Sequence, residues 1–113
     1  MRQAEGIIRA LSGNVIDLAA IRDVSVFAGH VGSVFRIEVG PEQFVDATLL
    51  EAEALGNRPQ GVDLPREPFS LLFALPEGID LMQQTYNVSQ EQLGELSLFL
   101  VPVGPGRMES VFN

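Results

Sequence analysis

Phe69-Ser70-Leu71-Leu72-Phe73-Ala74-Leu75-Pro76-Glu77-Gly78 decides the fold class. Phe69, Leu71, Phe73 and Leu75 alternate with Ser70, Leu72 and Ala74. A period of two puts the large side chains on one face of an extended strand. The strand ends at Leu75-Pro76-Glu77-Gly78, read as a four-residue turn with proline second, where its fixed φ suits types I and II.

The same grammar recurs on both sides. Residues 33–39 alternate, with Phe35, Ile37 and Val39 on one face and Arg36 and Glu38 on the other. Residues 44–54 read as a strand, although the end from Glu51 to Leu55 also fits a helix. Residues 96–103 are apolar on both faces with Ser97 the only polar side chain, the pattern of a central strand buried on two sides, and Pro102 lies near its end. Residues 85–88 and 108–112 complete the strands. Gly40-Pro41-Glu42-Gln43 and Gly104-Pro105-Gly106-Arg107 supply further tight turns, the second favouring type II through glycine at its third position. Tight turns between apolar runs predict a mostly β domain: a single small antiparallel barrel or a strongly curved sheet of about five to seven strands. Its expected core is Phe35, Ile37, Phe69, Leu71, Phe73, Leu98, Leu100 and Phe112. Ser89-Gln90-Glu91-Gln92-Leu93-Gly94 reads as one helical turn, with Ser89 as cap and Gly94 as stop.

The N-terminal third differs. Leu18, Ile21, Val24, Phe27 and Val31 recur at three- and four-residue spacing, as on an amphipathic helix between Asp17 and Val31 closed by Gly29 or Gly32. Residues 6–11 and 15–18 also read as a hairpin around Ser12-Gly13-Asn14, and both readings stand. One or two short helices are expected near this terminus. The stretch from Gly56 to Pro68, rich in proline and glycine, reads as a surface loop and not a domain boundary.

Composition narrows the chemistry. The 113 residues suit one domain, and 46% hydrophobic content supplies a core. Cysteine is absent, which excludes disulfides, thiolate metal sites and cysteine nucleophiles. All seven basic residues are arginine, scattered along the chain, against fifteen carboxylates, for a net charge of −8. No basic stripe exists to follow a phosphate backbone, so nucleic acid is not an expected partner. No apolar run reaches bilayer-spanning length, and Arg9 interrupts the only N-terminal candidate for a signal-peptide core. The expected setting is the cytoplasm, or an exported or virion-like assembly, with no membrane contact.

Residues 24–113 resemble a small bacterial domain of unknown function that is often encoded beside phage tail-collar (microcystin-dependent) proteins. The resemblance rests on Phe27 with Gly32, Pro68-Phe69-Ser70-Leu71-Leu72-Phe73, Gln84-Thr85-Tyr86, Leu93-Gly94, Phe99-Leu100-Val101-Pro102-Val103-Gly104-Pro105 and Val111-Phe112-Asn113. The final hairpin is short here, and Met108 stands where that pattern expects an aromatic. The resemblance implies an all-β fold and a tie to phage-tail-like assemblies by gene neighbourhood, with no activity to transfer. It leaves residues 1–23 outside, so the chain divides into an N-terminal interaction segment (1–23) and a β domain (24–113).

Chemistry-bearing residues are few. His30 is the single histidine and reads as the end of a helix or turn. Glu51 and Glu53 share a face if their segment is a strand, and read as a solvated pair rather than an acid and base. Asp17, Asp23 and Asp46 lack calcium-loop spacing. Ser70 lacks a glycine elbow, and the sequon Asn87-Val88-Ser89 reads as a chance match. No cofactor, metal or catalytic residue is expected. The candidate contact surface is Ile7, Ile8 and Leu11 in the N-terminal segment, Arg58 and Arg66 in the long loop, and Tyr86. Two functions compete: a non-catalytic structural or interaction module with a protein partner or self-association, and a barrel holding a small apolar ligand among Phe35, Phe69, Phe73 and Phe99, or an unrecognised enzyme.

Overall fold

The computed structural model describes Ile21, residues 24–55 and residues 67–112. These residues form a closed, six-stranded, antiparallel barrel, with one short helix among those described before it. The elements are α1 (Ser25–Ala28), β1 (Val34–Gly40), β2 (Gln43–Ala54), β3 (Phe69–Ala74), β4 (Gln84–Gln90), β5 (Gly94–Pro102) and β6 (Arg107–Phe112). Around the wall the order is β1-β2-β3-β6-β5-β4. Residues 51–54 continue β2 as strand and not as helix.

Burial follows the period of two. β3 alternates without a break, with Phe69, Leu71 and Phe73 inside. The whole expected core is buried. Large side chains meet small ones across the ladder: Phe35 pairs with Ala47, and Leu71 pairs with Ser110. That alternation lets rings fit inside a narrow barrel. Phe35 meets Phe73 edge to face at 5.3 Å, and Phe69 stacks on Phe112 at 4.4 Å.

The two ends are closed differently. β3 and β4 stand on opposite sides of the ring, so residues 75–83 must cross one end. Leu75 is buried there and Leu81 packs against the core. Leu75 N–H donates to the Gly106 carbonyl, and Gly106 N–H donates to Asp80 Oδ1. These bonds tie the crossing to the β5–β6 turn. Across the other end, Phe27 of α1 is fully buried, its ring 5.8 Å from Phe69 and 5.7 Å from Phe112. α1 is thus a plug that sets Phe27 into the core, with Val26 packed against it half-buried.

Several expectations need correction. Of the helix expected from Asp17 to Val31, the described part is helical only over Ser25–Ala28. His30 N–H already closes a turn onto the Phe27 carbonyl, and Gly32 at φ 93° redirects the chain into β1. Val31, placed on the helix's apolar face, is exposed. The hairpin alternative and residues 17–20 lie outside the described residues. Ile21, assigned to the N-terminal segment, is packed in the core at 3% exposure.

Ser89 to Gly94 is no helical turn: β4 runs to Gln90, residues 91–93 turn, and β5 starts at Gly94 with φ 94°. The cap is Gln90, whose Oε1 accepts the N–H groups of Gln92 and Leu93, both at 2.7 Å. The turn at Pro76 is one residue later than expected. Ile79 N–H bonds the Pro76 carbonyl, so proline is first and Gly78 takes the positive-φ position at 81°. Gly104-Pro105-Gly106-Arg107 closes as expected, with Arg107 N–H on the Gly104 carbonyl and Gly106 at φ 69°.

The wall is not uniformly sewn. β4 and β5 pair along seven positions. β1 meets β4 at only Arg36↔Ser89 and Ile37↔Val88, and β5 meets β6 at only Val101↔Glu109 and Pro102↔Met108. The β4–β5 hairpin therefore hangs between two short seams from a four-stranded sheet. Bulges in β1–β2 near Glu38 and in β2–β3 near Leu49 supply the bending that closure needs.

Candidate functional site

Inside the barrel the phenylalanines of β1, β3 and β6 pack on one another. Phe35, Phe69 and Phe73 are each 1% exposed or less, with ring-to-ring contacts in place. Phe99, expected beside them, is outside and 51% exposed. The correction has a simple cause in register. β5 turns Leu96, Leu98 and Leu100 inward, so Ser97, Phe99 and Val101 share the outer face. Residues 96–103 are therefore apolar on both faces without being covered on both. Ser97, the one polar residue of the run, marked the outer face, and Phe99 has its parity.

The exterior mixes polar and apolar side chains. Around β1, β2 and β4, charged and amide groups stand among the exposed Val34, Phe44 and Leu50. Arg36 Nε lies 3.3 Å from Asp46 Oδ1, both side chains well exposed, and the guanidinium sits 5.6 Å from the Phe44 ring centroid. An exposed pair of this kind contributes about 0–1 kcal/mol. Ser97 Oγ donates to Asn87 Oδ1 at 3.3 Å, which engages the sequon's asparagine within the sheet surface. The groove beside Arg36, lined by Glu38, Asn87, Ser89 and Glu95, encloses about 10 Å³, room for roughly one water. Glu38 and Glu95 both have partners.

Around β3, β6 and β5, apolar side chains stand outward among Ser70, Ser97, Arg107 and Glu109. Val111 is 49% exposed beside Ser70, and Glu109 sits between Val101 of β5 and Leu72 of β3. Arg107 sits beside Ala74, with its carbonyl accepting Val103 N–H. Phe99, Val101, Val111 and Leu72 thus face outward on three neighbouring strands. This wall was not singled out in the sequence, because Phe99 was assigned inward and Val111 was read only as part of a strand.

The other sequence candidates separate. Ile7, Ile8, Leu11, Arg58 and Arg66, with Asp17 and Asp23, lie outside the described residues. Tyr86 is 4% exposed: its ring points into the core and only its hydroxyl reaches the rim, donating to the Met82 carbonyl at 2.6 Å. Burial pushes the Tyr86 phenol pKa up. His30 lies half-buried in the turn between α1 and β1. Glu51 and Glu53 stand exposed on the outer face of β2, and Ser70 is half-buried on β3. Among the described residues no three histidine or carboxylate side chains gather as a metal site would require. Among them, too, no helix is long and apolar enough to cross a membrane.

Residues 23–112 match the family model described as a domain of unknown function (DUF6916), and the chain belongs to that family. The match begins just before α1 and runs to the end of β6. No curated protein and no solved structure matches the chain.

Proposed function

We propose that this DUF6916 member is a non-catalytic structural or protein-interaction module that works through the outer wall of β3, β6 and β5, in a phage-tail-like assembly. One observation carries the reading: Phe99, Val101 and Val111 lie on the outside of a barrel whose inward phenylalanines already pack on one another. A domain with a satisfied core gains nothing from three further apolar side chains in water, whereas a contact surface does. The resemblance of residues 24–113 supplies the assembly, through gene neighbourhood. Residues 1–23, with Ile7, Ile8 and Leu11, act in this reading as a second contact element beside the wall.

The competing reading, a barrel for a small apolar ligand, needs space among Phe35, Phe69 and Phe73. Their ring contacts weigh against it. An unrecognised enzyme needs a poised pair of groups, and the described carboxylates are spread over the exterior.

The test is co-expression with a phage tail-collar protein, comparing wild type with Phe99→Glu/Val111→Glu by size-exclusion chromatography. Both positions are half exposed, so the variant keeps its melting temperature. Co-elution with wild type and its loss in the variant supports the module. Saturable binding of a fluorescent fatty acid to both forms, with no co-elution of either, replaces it with the ligand reading.

A further inference from the structure

The charges on the wall suggest what covers it. β6 presents two outward charged side chains, Arg107 and Glu109, two positions apart. Arg107 Nη1 donates to the carbonyl of Gly106 at 3.2 Å, and among the described residues neither side chain enters an ion pair. Each stands beside apolar neighbours, Glu109 between Val101 and Leu72, Arg107 beside Ala74. A chain with net charge −8 repels copies of itself over most of its surface. On this wall one positive and one negative group stand side by side, so the long-range repulsion has no local counterpart.

We propose that the wall of β3, β6 and β5 is an isologous interface that a second copy of this chain occupies. A twofold axis lying between the two sheets and crossing β6 at the level of Met108 sets β6 antiparallel to its mate. Arg107 of one copy then faces Glu109 of the other, and the reverse pair forms by symmetry. Phe99, Val101, Val111 and Leu72 pack around those two pairs and exclude water from them. A twofold axis parallel to the strands would instead set Arg107 against Arg107, so charge selects the antiparallel arrangement. Three strands about 4.8 Å apart give a patch roughly 14 Å wide and 20 Å long. That footprint is small beside the usual ~800 Å² per partner, so the association is weak and reversible.

The inference rests on the wall being a contact surface, and adds the identity of the occupant. Sedimentation equilibrium of the full chain from about 5 to 500 µM gives a reversible monomer–dimer isotherm. Arg107→Glu and Glu109→Arg each weaken it at least tenfold. The double reversal Arg107→Glu/Glu109→Arg restores it to within about threefold, because the faces are again complementary. All three variants melt within a few degrees of wild type, since both side chains are at the surface. A monomer at every concentration overturns the inference, as does dimerisation indifferent to the single reversals or not restored by the double one. In the monomer outcome, loss of collar-protein co-elution in Phe99→Glu/Val111→Glu still separates failure of the occupant from failure of the wall.

Discussion

Replacing Phe27 by alanine removes the side chain that closes one end of the barrel. Its ring is fully buried and lies within 6 Å of the Phe69 and Phe112 rings, at 5.8 and 5.7 Å. A buried phenylalanine covers about 150–250 Å², and truncation to alanine in a core costs about 3–5 kcal/mol. The site cannot collapse easily, because Phe69 and Phe112 are stacked on each other and held in adjacent strands. The upper part of that range is therefore expected, about 4 kcal/mol, against a typical domain stability of about 5–15 kcal/mol. Urea unfolding followed by circular dichroism reads it directly as a lower midpoint at unchanged slope. The melting temperature falls by about 15 °C or more. A loss below about 1 kcal/mol would refute the reasoning: α1 would then be a peripheral turn, and the end of the barrel would be closed by Phe69 and Phe112 alone.

Other consequences are as specific. Tyr86→Phe removes the bond to the Met82 carbonyl and costs about 1 kcal/mol at neutral pH. Because the Tyr86 pKa is raised in the fold, its contribution is complete below the unfolded value near 10 and is lost as pH rises through the folded one. Wild-type stability therefore falls above about pH 10 more steeply than that of Tyr86→Phe in urea titrations at stepped pH. Glu42 occupies φ 57° in the β1–β2 turn, so Glu42→Gly raises the urea midpoint by the equivalent of about 0.5–1 kcal/mol, and a fall would contradict the turn assignment. Deleting residues 1–20 leaves a cooperative melt and changes partner capture. Deletion through residue 23 costs about 2 kcal/mol more, because it removes the buried Ile21. Equal melts for the two truncations would show that Ile21 adds nothing to the core.

What the sequence made legible was whatever depends on local period. Phe69, Leu71 and Phe73 declared their inward face, as did Phe35 and Ile37, because one side of each strand is solvated and the other is not. β5 broke that logic. Its outer face carries Phe99 and Val101 although neither is fully buried, so hydrophobicity alone carried no parity, and Phe99 went to the wrong side. The parity was recoverable from Ser97 alone. Turn chemistry fixed the type of each hairpin better than its frame: Pro76 sits first and not second, since Gly78 claims the positive-φ position. Gln90 was hidden because a long amide reaching forward to two backbone N–H groups imitates a helix cap in sequence. The apolar wall was illegible in principle. It is assembled from β3, β6 and β5 by pairings between residues far apart in the chain, and nothing local records that Leu72, Glu109 and Val101 are neighbours.

On the proposal above, two copies of this barrel meet through the outer wall of β3, β6 and β5. Amide chemical shifts of the uniformly ¹⁵N-labelled full chain, followed from about 500 to 10 µM, test it most directly. Concentration-dependent shifts confined to β3, β5 and β6 are expected, largest at Leu72, Phe99, Val101, Arg107, Glu109 and Val111. Shifts centred on Arg36, Phe44 and Asn87, or a spectrum that does not change with concentration, would contradict it.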